Sequence, residues 1–249
     1  MKLIGNTIFI TGGTSGIGRS LAEALHKRGN QVIISGRRKG HLAEVTKANP
    51  GMQSLELNVE DPASIAAVAK KLIAEYPKLN VLINNAGIMQ IDDAAGAIDD
   101  SVLVSIVTTN LLGPIRMTSA LIEHLKKQPS ATVINVSSGL AFVPLASTAV
   151  YSATKAAIHS YTQSMRYRLK GSSVRVLELI PPWVQTDLLN SKDEPRAMPL
   201  AAFIEEAVTV LGTDAEEVMV ERVKMLRNNP GPNEFVFVAQ FNDMIASAH

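Results

Sequence analysis

The stretch TGGTSGIGRS, residues 11–20, lies between an apolar run, TIFIT (7–11), and a helical pattern over 16–28. Its glycines permit a tight turn and let backbone amides approach a bound pyrophosphate, while the helix N-terminus adds partial positive charge. The spacing G-x-x-x-G-x-G is longer than the G-x-G-x-x-G form. A glycine triplet alone is often only a turn, but the order strand, loop and helix favours a dinucleotide-binding loop.

Short β-branched runs alternate with helical patterns along the chain. Several runs are apolar at nearly every position, which is typical of parallel strands covered on both faces. The strand-like runs are TIFIT (7–11), QVIIS (31–35), SLELN (54–58), VLINN (81–85), TVINVS (132–137), VRVLELI (174–180) and EFVFVA (234–239). The helical patterns cover 16–28, 62–75, about 101–127 and about 150–170. This alternation predicts right-handed βαβ crossovers and an open parallel sheet.

The pattern changes after the sixth strand-like run. PPWVQTDLLNSKDEPRAMPL (181–200) contains four prolines, and two helix-like segments follow at 201–212 and 214–229. We interpret 183–230 as an insertion between the last two strands of a single domain spanning 1–249. Loops at the carboxyl ends of parallel strands are where such sheets bind ligands, so this insertion is expected to bind substrate. A plain connecting loop is the alternative.

Composition and charge exclude several classes of protein. The chain has 249 residues, 46% of them apolar, and a net charge of +1, so we expect no nucleic-acid or membrane partner. It contains no cysteine, which excludes disulfides, thiolate metal sites and cysteine nucleophiles. No apolar run approaches the ~20 residues that cross a bilayer, and the expected location is the cytoplasm. The histidines lack the spacing of metal ligands, so no metal site is expected: His26, His41, His124, His159 and His249.

The end of the second strand-like run bears on the choice of cofactor. An acidic residue there would hold the ribose 2′-hydroxyl of NAD, whereas a nearby arginine accommodates the 2′-phosphate of NADP. The sequence has Gly36 at the acid's position, followed by Arg37 and Arg38. Guanidinium groups favour a doubly charged phosphate, so we expect NADP rather than NAD.

The helical pattern VYSATKAAIHSY (150–161) places Tyr151 and Lys155 four residues apart. Four residues are about one helical turn, so both side chains leave the same face. Such a pair is often only a solvated surface. It can also act as an acid–base pair in which the cation lowers the phenol's pKa from its usual ~10.

Further motifs accompany this pair: NNAG (84–87), Asn110 and Ser138, the serine lying 13 residues before the tyrosine. Together with TGGTSGIG and YSATK (151–155), they resemble the short-chain dehydrogenase/reductases in their compact single-domain branch. The resemblance covers essentially the whole chain. It implies the α/β class: a single-domain, doubly wound Rossmann fold with a parallel seven-stranded sheet and helices on both faces.

The resemblance also implies roles for individual residues. Tyr151 would be the general acid/base and Lys155 its cationic partner, while Ser138 would orient the substrate oxygen. Asn110 would hold a water of a proton relay. Trp183, the only tryptophan, is expected to bind substrate together with Ser138 and Tyr151. Cofactor binding is implied for a larger set in the loops after the strands: Gly12, Thr14, Ser15, Gly16, Ile17, Gly18, Arg37, Arg38, Asn58, Val59, Asn84, Ala86, Gly87, Tyr151, Lys155, Pro181, Val184 and Thr186.

Two positions depart from the family's pattern. Asn58 stands where the family usually has an aspartate that contacts adenine, so the acceptor oxygen is kept and the charge is lost. Pro182 replaces the glycine of a Pro-Gly-x-x-x-Thr stretch, which here reads PPWVQT (181–186). Thr186 still fits a hydroxyl near the nicotinamide carboxamide.

The expected function is NADP-dependent hydride transfer between the nicotinamide and a carbonyl or secondary alcohol. A nucleotide-sensing or scaffold protein on the same fold is the alternative, although an intact Ser138–Tyr151–Lys155 set favours turnover. The short chain counts against a third possibility, an epimerase or dehydratase. Candidate substrates include ketones, aldehydes, ketoesters and carrier-bound ketoacyl groups. The long helices at 101–127 and 150–170 carry surplus apolar positions. Such helices commonly pair between subunits in the family that the chain resembles, so the resemblance implies a homodimer or homotetramer.

Overall fold

Seven parallel strands form one sheet in the computed structural model, which describes residues 1–247. The strands are β1 (Thr7–Ile10), β2 (Gln31–Gly36), β3 (Gln53–Glu56), β4 (Leu79–Asn84), β5 (Ala131–Val136), β6 (Val174–Ile180) and β7 (Glu217–Met219). Their spatial order is β3-β2-β1-β4-β5-β6-β7, so the chain winds outward from β1 in one direction and from β4 in the other. All three loops that leave β1, β4 and β5 consequently emerge at the same, carboxyl, edge of the sheet.

The connections between strands are mainly helical. The helices are α1 (Gly16–His26), α2 (Lys39–Ala48), α3 (Pro62–Glu75), α4 (Asp100–Val107), α5 (Gly113–Leu125), α6 (Ala149–Arg168), α7 (Leu200–Leu211), α8 (Lys224–Arg227) and α9 (Glu234–Ala246). A π-helical turn, Thr108–Leu112, joins α4 to α5. Pro62 opens α3 just after Asp61, whose carboxylate accepts a hydrogen bond from the Ala63 amide. The proline lacks only a donor that a helix start leaves unused, so the sequence begins this helix at low cost.

Each face of the sheet has its own apolar core because side chains alternate along a strand. In β1, Ile8 and Ile10 belong to the core beneath α1 and α7. Phe9, between them, belongs to the core beneath α3, α5 and α6. Both faces of the central strands are therefore covered, which explains why those strands are apolar at nearly every position.

The predicted fold class is confirmed: the chain forms an α/β, doubly wound parallel sheet with helices on both faces. The first six strands lie on the apolar runs that predicted them. The helix α2 was not predicted from the sequence. The first residues of this helix are basic, and its amphipathic pattern is short. Only Leu42 and Val45 of α2 are buried among its residues, and both join the core on the α1 side.

The prediction is wrong at the carboxyl-terminal end of the chain. EFVFVA (234–239), predicted as the last strand, belongs to α9, and the predicted helix 214–229 instead contains β7. In β7, Val218 pairs with Leu179 of β6 and is fully buried, so the partner strand selects the extended conformation. A short apolar run such as 234–239 has no decisive period, and α9 buries none of its residues.

The segment between the last two strands is therefore shorter than expected. It spans 181–216 rather than 183–230, because β7 begins at Glu217. Within this segment lie α7 and the 3₁₀ turns of Leu188–Asp193. None of the helices within residues 1–247 combines the length and the apolar character needed to span a bilayer.

Replacement of Phe203 by alanine tests the core between α7 and the sheet. Phe203 is fully buried in α7, so its loss removes a large side chain from a packed core. We expect the free energy of unfolding to fall by about 3–5 kcal/mol, measured by urea denaturation. The matched control is Phe235→Ala in α9, where the side chain is 68% exposed, and a change within about 0.5 kcal/mol is expected. Equal effects of the two substitutions would contradict the assignment of the core.

Candidate active site

The glycine-rich loop after β1 is bonded to the end of β4. The Thr11 hydroxyl accepts hydrogen bonds from the amides of Asn85 and Ala86 at 3.0 and 3.1 Å. In return, Nδ2 of Asn85 donates to the carbonyls of Thr11 and Gly12 at 3.0 and 3.1 Å. These four bonds fix the loop against the neighbouring strand, so its backbone conformation is set before any ligand binds.

Glycine is required in this loop for two separate reasons. Gly12 and Gly16 have φ angles of +69° and +52°, in the left-handed region that side chains disfavour. At Gly18 the limit is space, since a Cβ would lie 2.3 Å from both Asn85 Nδ2 and the Gly12 carbonyl oxygen. The loop and the start of α1 therefore accept backbone, but not side chains, at these positions.

The start of α1 offers amides to an anion. The N-cap residue Ser15 has an extended backbone. In the described part of the chain, its side chain makes no capping hydrogen bond to the first turn of α1. The first amides of a helix have no intrahelical acceptor, and the helix dipole adds partial positive charge there. The first turn, which includes Gly16, Ile17 and Gly18, thus has the chemistry of a pyrophosphate site.

The two arginines after β2 lie beside this loop. Gly36, at the end of β2, approaches Thr14 so closely that a Cβ would lie 3.1 Å from the Thr14 methyl group. The side chain of Arg37 is 64% exposed, and its Nη1 lies 3.4 Å from Oε1 of Glu60. Arg38 precedes α2 as its N-cap residue. The guanidinium groups are therefore available at the edge of the loop, with Arg37 in a weak, exposed ion pair.

The loop after β3 is stabilised by its own hydrogen bonds. Oδ1 of Asn58 accepts from the Glu60 amide at 3.2 Å, and the Asn58 amide donates to Ser64 Oγ at 3.1 Å. The Val59 carbonyl packs against Gly113, where a Cβ would lie 3.1 Å from it. The acceptor oxygen expected to face adenine thus also closes a turn, which makes Asn58 a fixed part of the backbone frame.

The two asparagines of NNAG have different surroundings. Asn84 is buried, and its Nδ2 donates to Thr118 Oγ1 at 2.9 Å and to Asn135 Oδ1 at 2.8 Å, so it joins β4 to α5 and β5. Asn85, which sequence reasoning did not single out, is the asparagine that contacts the glycine-rich loop. The alternation of side chains after β4 was the available signal, because neighbouring residues must point to opposite sides.

Ser138, Tyr151 and Lys155 come together at the carboxyl end of β5. Tyr151 is 6% exposed, and its hydroxyl is hydrogen-bonded to that of Ser138. The Lys155 ammonium lies 5.4 Å from the centre of the Tyr151 ring and donates to the Val136 carbonyl at 2.9 Å. Ser138 Oγ also accepts from the Leu140 amide at 3.1 Å, which orients the serine. The tertiary fold thus places all three predicted catalytic groups in one cluster.

Asn110 lies in the π-helical turn between α4 and α5. Its Oδ1 accepts from the Ile88 amide at 2.9 Å, and its Nδ2 donates to the Ile88 carbonyl at 2.8 Å. Nδ2 also lies 3.3 Å from Thr154 Oγ1. A Cβ at Gly87 would lie 3.4 Å from Asn110 Oδ1 and 3.7 Å from Lys155 Nζ. Asn110 therefore clamps the chain after NNAG against α6, and the wider helical turn gives its side chain room to do so.

Burial dominates the electrostatics of the tyrosine–lysine pair. It raises the pKa of Tyr151 to about 12, and the hydrogen bond with Ser138 opposes this rise. Burial also lowers the pKa of Lys155 to about 8, and the negative charge of Glu178 opposes that fall. In the protein by itself the pKa of Tyr151 therefore lies above the usual value of a phenol, and the expected lowering by the ammonium together with an oxidised nicotinamide stays a prediction.

The segment after β6 approaches the cluster from the other side. The Pro181 carbonyl accepts from the Gly139 amide at 2.9 Å, next to Ser138. Val184 is buried and pairs with Met198, and a Cβ at Gly16 would lie 3.4 Å from the Thr186 methyl group. Thr186, which belongs to this segment, therefore lies next to the glycine-rich loop, where a hydroxyl can contact a bound dinucleotide.

Trp183 lies farther out in the same segment. Its side chain is 38% exposed, and the guanidinium of Arg196 lies 5.1 Å from the ring centre. The Trp183 carbonyl accepts from the Met198 amide at 2.8 Å, which anchors its backbone. The ring is thus a partly exposed wall of the insertion and not part of the core.

The spacing of the histidines did not reveal one charged cluster. His159, Glu178 and Glu217 place ligand-type atoms within 4.8 Å of one another. These atoms already have partners: Nδ1 of His159 lies 2.8 Å from Glu178 Oε2, and the Arg227 guanidinium contacts both oxygens of Glu217 at 2.8 and 2.9 Å. Carboxylates from β6 and β7 create this cluster, which a search for histidine spacing alone could not find. His249 lies outside the described residues.

Comparison with known proteins identifies related chains and folds. A family model described as short chain dehydrogenase matches residues 6–197. The uncharacterized oxidoreductase DltE of Bacillus subtilis is 39% identical over 92% of this chain and 93% of its own length. A short chain dehydrogenase from Burkholderia cenocepacia, solved in complex with NADP, has a TM-score of 0.85 at 27% identity, covering 96% of this chain and 98% of that one. A 3-ketoacyl-(acyl-carrier-protein) reductase from Brucella melitensis, complexed with NADH, has a TM-score of 0.78 at 27% identity over 86% and 93% of the two chains.

Replacement of Lys155 by methionine tests the cost of its burial. The pKa of Lys155 in the folded protein, about 8, lies below the usual lysine value of 10.5, so the unfolded chain binds this proton more readily. Below pH 8 the charge therefore destabilises the fold, and the penalty disappears as the pH rises from 8 towards 10.5. We expect Lys155→Met to be about 1–3 kcal/mol more stable than the native protein at pH 7, with the advantage shrinking at alkaline pH.

Urea denaturation at pH 7 and pH 10 measures this difference. The control is Lys47→Met on the exposed side of α2, where no gain of this size is expected. A lower stability of Lys155→Met at pH 7 would contradict the inferred desolvation penalty.

Proposed function

The chain belongs to the short-chain dehydrogenase/reductase family of oxidoreductases, and on that premise we propose that it is an NADP-dependent reductase of carbonyl compounds. The observation that carries this proposal is the cluster of Ser138, Tyr151 and Lys155 at the same edge of the sheet as the glycine-rich loop. A proton donor, a cation and a phosphate-binding loop are the parts that such a reaction requires.

In the proposed reaction, Tyr151 is the general acid. Burial raises its pKa to about 12, so the phenol keeps its proton at neutral pH and can donate it to the substrate's carbonyl oxygen. The Ser138 hydroxyl, bonded to the same phenol, orients that oxygen. The Lys155 ammonium, 5.4 Å from the ring centre, stabilises the phenolate that remains after the transfer. A nicotinamide dinucleotide, when bound, supplies the hydride.

The structure fits such a dinucleotide at the carboxyl edge of the sheet. The left-handed glycines and the open first turn of α1 would hold the pyrophosphate. Thr186 would contact the carboxamide, and Lys155 the nicotinamide ribose. Ala86 and Gly87, which follow β4, would support the cofactor ribose with their backbone. Both come directly after Asn85, which is bonded to the glycine-rich loop.

The two arginines after β2 support NADP as the preferred cofactor. Gly36 leaves the position of a ribose-binding acid without a carboxylate, and Arg37 and Arg38 follow it. The doubly charged 2′-phosphate would outcompete Glu60 for Arg37, because that ion pair is long and largely exposed. NADH is the less favoured cofactor in this proposal.

The segment 181–216, with Trp183 as a partly exposed wall, is the proposed substrate-binding side of the crevice. The substrate class is a small-molecule ketone, aldehyde, ketoester or carrier-bound ketoacyl group. We favour turnover over nucleotide sensing on the same fold because a sensor has no need for a phenol bonded to a serine beside a buried ammonium.

We also propose a homodimer or homotetramer, and sedimentation of the native protein at the mass of a monomer would contradict it.

The proposal is tested by oxidation of NADPH at 340 nm with a panel of carbonyl substrates. In the most active assay, Tyr151→Phe is expected to lower kcat by at least about 100-fold, the scale of general acid–base catalysis. Tyr161→Phe is the matched control on the same helix, and it is expected to keep kcat within about twofold of the native enzyme. Native turnover by Tyr151→Phe would exclude the assigned role.

Arg37→Ala tests the preference for NADP. The substitution removes a guanidinium that would pair with the 2′-phosphate of NADPH. NADH lacks that phosphate. We expect the KM for NADPH to rise by about tenfold or more and the KM for NADH to change little, since charge-assisted pairs are strong. Initial rates with both cofactors at constant ionic strength measure the two constants. An equal effect on both would show that Arg37 does not select the phosphate.

A further inference from the structure

Glu178 is a buried carboxylate that the proposed reaction does not use. It lies in the middle of β6 with 0% exposure, between register partners Asn135 on β5 and Glu217 on β7. Its Oε2 lies 2.8 Å from Nδ1 of His159 on α6. Its other oxygen, Oε1, is fully buried and has no hydrogen-bond partner within residues 1–247. A half-satisfied carboxylate in a sheet costs stability, so its presence invites a functional reason.

The hydrogen bonds around His159 show where the charge of this pair resides. Nε2 of Gln163 lies 2.7 Å from Nε2 of His159, and an amide nitrogen can only donate. The ring nitrogen Nε2 therefore accepts, which leaves Nδ1 as the donor to Glu178. In this arrangement the imidazole donates through Nδ1, and this hydrogen bond favours the carboxylate form of Glu178.

The other charges near Glu178 are already compensated. Among the described residues, the charged or titratable groups that face Glu178 come from α6, β7 and α8: Lys155, His159, Glu217 and Arg227. Arg227 forms two hydrogen bonds with Glu217, at 2.8 and 2.9 Å, so these two charges largely cancel. Within residues 1–247, Lys155 is the remaining cation near Glu178, and its hydrogen bond there is to the neutral Val136 carbonyl at 2.9 Å.

The fold brings this lysine towards the carboxylate. Lys155 and His159 are four residues apart on α6 and therefore share one face of the helix. Lys155 donates to Val136, one residue beyond the Asn135 that pairs with Glu178 on the neighbouring strand. The Lys155 ammonium, bonded to the end of β5, and the Glu178 carboxylate, on the adjacent strand β6, thus lie under the same face of α6. In agreement with this placement, the negative charge of Glu178 raises the pKa of Lys155 against the lowering effect of burial.

We propose that Glu178 is a positioning residue of the active site: held by His159, its buried carboxylate keeps Lys155 in the ammonium form that the proton transfer requires. The inference rests on the proposed function, since Lys155 matters there as the cation beside Tyr151. Glu178 itself touches neither substrate nor cofactor. It acts through the charge of the lysine, because a nearby negative charge stabilises the ammonium form.

The test is the pH dependence of kcat/KM for carbonyl reduction. Reduction needs the phenol and the ammonium protonated, so activity falls on the alkaline side as this coupled pair loses a proton. Glu178→Gln keeps the size and the hydrogen bond to His159 but removes the charge. We expect the alkaline limb of the pH profile to move to lower pH by about one unit. This is the smallest pKa shift that the loss of a nearby opposite charge usually causes. Glu178→Leu, a second neutral variant that suits a buried strand position, is expected to do the same.

Two variants serve as controls. The double variant Glu217→Gln/Arg227→Gln removes both members of the neighbouring ion pair, and it should leave the alkaline limb in place because those two charges already cancel each other. Glu178→Asp keeps the charge and should retain most of the native profile. A merely structural role of Glu178 would lower kcat/KM at every pH without moving the limb, and that result would overturn the proposal, as would equal shifts for Glu178→Gln and the double variant Glu217→Gln/Arg227→Gln.

A measurement without turnover separates this inference from the proposed function. The Cε resonance of Lys155, in protein with ¹³C-labelled lysine, is assigned by its loss in Lys155→Met and titrated by NMR. The Lys155 pKa should fall by about one unit in Glu178→Gln or Glu178→Leu relative to the native protein. An unchanged lysine titration defeats the inference even if the enzyme is active. A shifted titration in a protein that reduces no carbonyl substrate would sustain the role of Glu178 and defeat the proposed function.

Discussion

The hydrogen bonds between Asn85 and the glycine-rich loop are the constraint on which the rest of the site depends. One amide group reaches the carbonyls of Thr11 and Gly12, and it fills the space where Gly18 would carry a side chain. The loop after β1, the start of α1 and the end of β4 therefore form one rigid unit. Two residues beyond Asn85, Gly87 lies against Asn110 and Lys155, so the same unit sets the distance between the phosphate loop and the acid–base cluster.

The acid–base cluster is assembled at an electrostatic cost. Tyr151 and Lys155 are both buried, which raises the pKa of the phenol to about 12 and lowers that of the ammonium to about 8. Burial thus moves the two pKa values further apart than they are in water, and each group becomes sensitive to single charges nearby. The fold supplies one such charge through Glu178, itself buried and only half bonded. Polar groups of this kind are expected to be retained for function, since apolar replacements would usually be more stable.

The region after β6 shows how far local pattern can predict structure. The strand β7 is three residues long, and its buried Val218 lies between Glu217 and Met219, a pattern that is too short to indicate a strand when read alone. Its extended conformation depends on the edge of β6. The helix α9 contains apolar residues without a clear period, and the neighbouring Phe237 and Phe241 rings, 6.5 Å apart, meet only because the segment is helical. The conformation of a short segment at the edge of a sheet depends on the element that it packs against more than on its own sequence.

The sequence by itself determined the fold class, the first six strands, the glycine-rich loop and the identities of Ser138, Tyr151 and Lys155. The strands follow from apolar periodicity and the Tyr151–Lys155 pair from helical spacing, whereas Ser138 and the roles of all three residues came from the resemblance to the family. Only the tertiary structure decided that Asn85 rather than Asn84 contacts the loop, that Asn110 clamps Ile88, and that Glu178 lies beneath the face of α6 that carries Lys155. The physical reason is that desolvation and hydrogen bonding depend on distant segments, and no spacing along the chain reports which of them will meet.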